Sequence, residues 1–384
     1  MNINRWWRGV AIVAAGILSL ALAACGSSSN NSTSGGPTSA ASQNAYQAAV
    51  DYWYKGTVKE PSGPTVKAPT GKSIWLVAAS LGSDYATGAV AATHQAAAKL
   101  GWNVHVFDAK YDPNQMLTGV QQAVVAKADG IILLAIDCPT VKNAVVQAKA
   151  AGIPVVGIET KDCSPSLLSH VVTYANHTSF ANMTLGWGQA QAAFVIAKTN
   201  GHAKIVIDTE TDQWTTMLAT QGIKSEVAKC SGCSIVADAS FVGTDLGPAL
   251  QQKIEQALVQ HPEANAYIPA YDVVMTQSGG VQALQSAGRL HSLAVMGGEG
   301  TAAGIAQIRN GTGMQACAGE SPTWEAYSAL DALVRLFLKQ DPNVTDTGNG
   351  VQLCDKTHNL PPAGKPYTPN IDFQSAFLKM WSVN

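Results

Sequence analysis

Residues 101–136 read GWNVHVFDAKYDPNQMLTGVQQAVVAKADGIILLAI, and this stretch decides the fold. Asn103–Asp108 (NVHVFD) predicts a strand. Asp112 and Pro113 then open a helix over 113–127: the aspartate accepts from a free helix N–H, and proline suits the first helical position. The run 130–136 (GIILLAI) has no polar alternation, so it predicts a strand buried on both faces. Strand, helix and doubly buried strand at this spacing define a parallel βαβ unit.

The rhythm extends in both directions. Upstream, 73–80 (SIWLVAAS) reads as a buried strand and 86–100 as an Ala-rich helix stopped by Gly101. Downstream, a helix over 139–151 ends at Gly152 and a strand follows over 154–158. The pattern then repeats, with a short strand at 171–173 and a long helix at 178–198. Strands at 204–208, 234–241, 264–268 and 293–296 alternate with helices at 213–229, 245–260 and 272–287. A helix at 301–310, a strand at 313–318 and a helix at 324–339 complete it. The expected fold is α/β, with two doubly wound parallel-sheet lobes.

The first residues have the charge and length of an export leader. Arg5 and Arg8 precede an apolar run over 9–24, shorter than the roughly 20 residues of a membrane-spanning helix. Leu22-Ala23-Ala24-Cys25-Gly26 matches the lipobox at which bacterial lipoprotein leaders are cut. Residues 1–24 are therefore expected to be removed, and Cys25 to carry lipid. A Gly/Ser-rich tether is expected over 25–45 and an arm over 46–71. The arm opens with a short aromatic helix at 46–54, and Pro61, Pro64 and Pro69 then prevent regular structure.

Composition narrows the function classes. The chain has 384 residues, with 24 basic and 26 acidic side chains, so no basic excess favours nucleic acid. The length beyond residue 24 suits two lobes better than one core. Of seven cysteines, Cys25 is assigned to lipid. The other six read as three disulfides, with about fifteen pairings open to sequence alone. Neither a GxSxG, HExxH or P-loop motif nor metal-ligand spacing among the histidines is present. Gly298, Gly300 and Gly304 are spaced GxGxxxG, which does not fit a dinucleotide loop. No cofactor and no metal are expected.

The ordered runs LGWNVHVFDAKYDPNQ, ADGIILLAIDC, AAGIPVVGIET, EANAYIPAYDVV, LQSAG and GIAQIRNG resemble the type I periplasmic sugar-binding proteins, substrate-binding components of ABC transporters. The likeness covers about residues 72–340, and the IDC…DC cysteines and aromatic arm look like an actinobacterial lipoprotein branch. The resemblance implies a two-lobe clamshell crossed three times by the chain, near 173–176, 318–322 and 350–355. It places 72–174 plus 321–350 in the first lobe and 175–320 plus 351–384 in the second. It also implies an extracytoplasmic, monomeric protein anchored to the cell membrane, taking a sugar or polyol and delivering it to an ABC permease.

Open parallel sheets bind ligands beyond the carboxyl ends of their strands. Asp108, Asp137, Glu159, Asp208, Asp272 and Glu299 stand at such ends, where a carboxylate also serves as an ordinary helix cap. By resemblance, Glu159 and Glu299 fall at ligand carboxylate positions, Tyr271 at a polar hinge-side position followed by Asp272, and Tyr85 at an aromatic one. With Asp84, Asp137, Trp214 and Glu320 these form the expected ligand set. Where the family often has arginines, this chain has Thr160 and Lys161, and none over 214–219. Without that forked donor, a neutral polyol or a cation-bearing ligand is favoured over an acidic one. A carbohydrate-active enzyme working through a carboxylate pair and a sensory ligand-binding partner are the alternatives.

For the cysteines, adjacent parallel strands bring the loops of Cys138 and Cys163 together. Cys230 and Cys233 read as a local structural bridge rather than a redox or zinc motif. Cys317 and Cys354 form the remaining pair.

Overall fold

The computed structural model describes residues 40–383. The expected leader, Cys25 and most of the expected tether lie outside the described residues. Within them, α1 (Ala40–Lys55) comes first. It begins inside the segment expected to be tether, because Ala and Gln between Ala40 and Tyr46 are good helix formers.

The first lobe alternates β1 (Ser73–Ala78), α2 (Asp84–Leu100), β2 (Asn103–Asp108), α3 (Pro113–Val125), β3 (Gly130–Leu134), α4 (Cys138–Ala150), β4 (Val155–Ile158) and β5 (His170–Val171). Its sheet is ordered β2-β1-β3-β4-β5 with every pair parallel. All five residues of β3 are buried, as its unbroken apolar run requires. Helix boundaries follow local chemistry: Ser83 caps α2 through the Ala86 amide, and Gly101 ends it at φ 68°.

The second lobe runs α5 (Phe180–Lys198), β6 (Lys204–Ile207), α6 (Trp214–Val227), β7 (Ser234–Asp238), α7 (Pro248–Gln260), β8 (Ala266–Ile268), α8 (Asp272–Thr276), α9 (Gly280–Ser286), β9 (Ala294–Val295), α10 (Ala302–Asn310) and β10 (Ala316–Gly319). Its parallel sheet is ordered β7-β6-β8-β9. The helix expected over 272–287 is two helices, because Gly279 takes φ 84° between them.

The chain then crosses back to α11 (Pro322–Phe337), which packs on α2, and returns to β11 (Gln352–Asp355), antiparallel to β10. The connections near 172–178, 319–322 and 345–351 form a three-stranded hinge. The final helix α12 (Phe373–Met380) does not stay with the second lobe, where the sequence reading put 351–384. Its Phe373 stacks on Trp324 of α11 at 4.3 Å between centroids, and Phe377 and Trp381 join the same first-lobe core. The apolar spacing of Phe373, Phe377 and Trp381 gives one helix face, and the aromatic face of α11 buries it.

The arm lies along the hinge. Thr57 and Lys59 donate their amides to Val351 and Gly348, and Ser62 and Asp346 exchange both backbone bonds. Asp346 also accepts from Lys59 at 2.6 Å and from the amides of Asn176 and Gly348. Three disulfides tie local elements: Cys138–Cys163 between the loops after β3 and β4, Cys230–Cys233 in the turn before β7, and Cys317–Cys354 between register partners on β10 and β11.

Candidate functional site

Each parallel sheet has a switch point, between β1 and β3 in the first lobe and between β6 and β8 in the second, where connections leave in opposite directions. Crevices form there, outside the carboxyl ends of the strands. The two crevices share one cavity enclosing about 750 Å³, part of it open to solvent. Ser80, Ser83, Tyr85, Tyr111 and Glu159 line it from the first lobe. Met183, Trp187, Thr216, Tyr271 and Glu299 line it from the second, and Glu320 from the hinge crossing between β10 and α11.

Three lining residues hold left-handed backbone without being glycine: Tyr111 (φ 59°), Ala135 (φ 55°) and Glu159 (φ 49°). They follow β2, β3 and β4 respectively. Such conformations cost on the order of 1–3 kcal/mol each and persist where surrounding structure enforces them. Here they turn the chain sharply at the strand ends, so that these residues line the cleft.

Among the described residues lining the cavity, the only charged side chains are carboxylates. Oxygens of Glu159, Glu320 and Glu325 lie within 4.8 Å of one another, close enough to share one cation. This grouping has no sequence spacing to betray it, since two crossings separate Glu159 from Glu320 and Glu325. Glu325, in the first turn of α11, accepts from the hydroxyls of Tyr85 and Tyr174. Glu320 is 5% exposed, and its Oε1 has no hydrogen-bond partner. Burial pushes the Glu159 and Glu320 carboxyls well above the usual range, and the neighbouring negative charge of Glu325 pushes them further. Burial lifts Glu299 to about 8 with help from Asp272, and Glu325 to about 7 against the two tyrosine donors. No lysine, arginine or histidine is among the described residues lining the cavity.

Of the sequence-predicted set, the fold brings Tyr85, Glu159, Tyr271, Glu299 and Glu320 together around this cavity. Asp272 is not at the surface of it. Fully buried, its carboxylate accepts from the amides of Gly298, Gly300 and Thr301 and from the Thr301 hydroxyl, so it builds the loop that carries Glu299. Asp137 lies at the N-terminus of α4 and accepts from the Lys161 amide at 2.8 Å. Burial raises its pKa, and the Lys161 and Trp214 amides oppose the rise. Trp214 is half-buried at the cleft rim, packed on Phe180 with Lys161 at 5.6 Å over its ring. It thus spans the two lobes rather than lining the cavity. Asp84 is exposed in the first turn of α2. Asp108 and Asp208 serve local backbone: Asp108 accepts from Leu81 and Lys110, and Asp208 from Ala270 and the Tyr267 hydroxyl.

Sequence reasoning missed Glu325, Tyr111, Tyr174 and Trp187. An acid in the first helical turn reads as a dipole partner, which hid Glu325. Tyr111 precedes the Asp112 cap and resembled a turn residue. Trp187 sits mid-helix on α5 and resembled core.

Fold and cleft define a two-lobed α/β protein with a cavity lined from both lobes. The chain belongs to the periplasmic-binding-protein family, whose periplasmic binding protein domain matches residues 74–341. It is 25% identical over 239 residues to the ribose import binding proteins RbsB of Salmonella typhimurium and Escherichia coli, covering 62% of this chain and 76% of each relative. Among solved structures it is similar to GanP, a glucose-galactose binding protein from Geobacillus stearothermophilus, with TM-score 0.66 and 20% identity over 76% of this chain and 99% of that one. An ABC transporter solute-binding protein from Mycobacterium smegmatis with bound glycerol gives TM-score 0.64 and 16% identity, over 78% of this chain and all of that one. These relatives are transport proteins that bind sugars and other polyhydroxylated solutes rather than enzymes. Among the described residues no helix is long and apolar enough to cross a membrane.

Proposed function

We propose that this chain is an extracytoplasmic solute receptor. It closes its two lobes on a small polar ligand of the sugar or polyol class and delivers that ligand to an ABC permease. The observation that carries this reading is the cavity at the switch points of both sheets, lined by hydroxyls, aromatic rings and carboxylates from both lobes. Aromatic faces suit the C–H surfaces of a sugar, and carboxylates accept from its hydroxyls. The relatives' transport roles support the permease step, and the lipobox at Cys25 supports anchoring by lipid to the outer face of the cell membrane. The ligand-contacting residues in this reading are Tyr85, Glu159, Tyr271, Glu299 and Glu320, joined by Trp187, with Glu325 adding its charge from behind them. The protein acts as a non-catalytic monomer of the actinobacterial-like lipoprotein branch.

Calorimetric titration with ribose, glucose, galactose, myo-inositol and glycerol tests the binding step. Saturable binding of an unaltered ligand is expected; conversion of the ligand on incubation would establish the enzyme alternative instead. Anchoring is tested by Cys25→Ala, which should move the protein from the membrane fraction to the soluble one.

A further inference from the structure

We infer that the ligand of this cleft carries a positive charge: a small polyhydroxylated amine, of amino-sugar or amino-polyol class, with its ammonium seated among Glu159, Glu320 and Glu325. The inference rests on the reading of the cleft as a solute site and names the chemistry of the solute.

Charge in the cavity is one-sided. Glu159, Glu299 and Glu320 line it, Glu325 stands within 4.8 Å of two of them, and no basic side chain among the described residues lines it. A buried carboxylate without a counter-charge is costly, and burial is tolerated only with pairing or protonation. A neutral sugar offers hydroxyl donors but no charge. An ammonium offers three donors and the missing charge at once.

A second observation is independent of the charge count. Glu320 is only 5% exposed, yet its Oε1 receives no hydrogen bond, whereas both Glu325 oxygens are taken by tyrosine hydroxyls. The open acceptor therefore belongs to the residue whose other neighbours are the remaining acids. The rest of the cavity is not built for a bare metal ion. Tyr85, Tyr111, Tyr271 and Trp187 bring aromatic surface, and Ser80 and Thr216 bring hydroxyls. Ring faces near a carboxylate cluster suit an organic cation.

The test uses matched pairs on the full chain in metal-free buffer at neutral pH: glucosamine against glucose, galactosamine against galactose, and glucamine against sorbitol. N-acetylglucosamine is the uncharged control. At least one amine is expected to bind about tenfold or more tighter than its neutral partner, and Glu320→Gln and Glu159→Gln are each expected to weaken that amine by about tenfold or more. Both variants keep side-chain volume, and unchanged melting cooperativity verifies their folding. A neutral partner that binds as tightly as its amine overturns the charge assignment and leaves the solute-receptor reading standing. Absence of binding by both series at millimolar concentration overturns both. Saturable binding of Ca²⁺ or Mg²⁺ alone that blocks the amines overturns the assignment in favour of a metal.

Discussion

Asp272 and Glu299 hold each other in place: the Asp272 amide donates to Glu299 Oε2 at 2.8 Å, while the Asp272 carboxylate gathers the amides on either side of Glu299, from Gly298 at 2.7 Å and from Gly300 at 3.1 Å. The loop after β9 is therefore shaped by the residue that opens α8, and the cleft carboxylate is fixed from behind. Asp272→Ala should strand three buried amides and destabilise the protein by about 3 kcal/mol or more. Urea unfolding measures this, and a loss below about 1 kcal/mol would show that water replaces the carboxylate.

Stability should fall as pH rises across the neutral range. Glu299 titrates near 8 in the folded protein, and Glu325, Asp208 and Glu210 near 7; all are raised mainly by burial. Glu159 and Glu320 move the same way. An acid with a raised folded pKa takes up a proton on folding. Its contribution is complete below the unfolded values near 4 and is lost as pH climbs through 7 to 8, each tenfold gain in proton affinity on folding being worth about 1.4 kcal/mol. His170, lowered to about 4 by burial, acts oppositely below pH 6.5 but is a single group. The melting temperature of the ligand-free protein should drop by at least about 5 °C between pH 6.5 and 8. A flat profile would mean that these carboxyls stay ionised.

Removing one member of the acid cluster should therefore stabilise the ligand-free protein at pH 8. Glu320→Gln is expected to raise the melting temperature by about 2 °C or more while weakening ligand binding. Calorimetry at pH 8 decides it, and a destabilised variant would show that the ionised Glu320 has a partner inside the fold.

Asp346 joins three separate stretches at the hinge: Lys59 of the arm, Asn176 of the first crossing and Gly348 of the third. Asp346→Ala should cost about 2 kcal/mol and speed ligand release by loosening the crossings. Stopped-flow release from wild type and variant reads the effect, and unchanged release would confine Asp346 to stability alone.

Cys317 and Cys354 face each other in register on β10 and β11, next to the second and third crossings. Replacing both with alanine should lower stability by about 2–4 kcal/mol, measured by guanidinium unfolding of the non-reduced proteins.

Much of the fold was legible in the sequence because its signals are local. The unbroken apolar run of β3, the Asp112-Pro113 start of α3 and the Gly101 stop of α2 each report on their own neighbourhood. The site was legible only where it follows from strand ends, as at Glu159 and Glu299. Glu325 and Tyr174 enter it through crossings far apart in the chain, and no periodicity records that meeting. Asp272 was misread for the same reason. A carboxylate after a strand looks alike whether it faces solute or a turn of backbone, and only the fold of residues 298–301 distinguishes the two.

The two outermost described helices ride on opposite lobes: α1 packs against α5 of the second, and α12 against α11 of the first. If the lobes close on a ligand as proposed, fluorophores attached to α1 and just after α12 should change separation on binding. On that reading, labelling these two helices would make the protein an optical reporter of its ligand, without rerouting the chain or inserting a probe into either sheet.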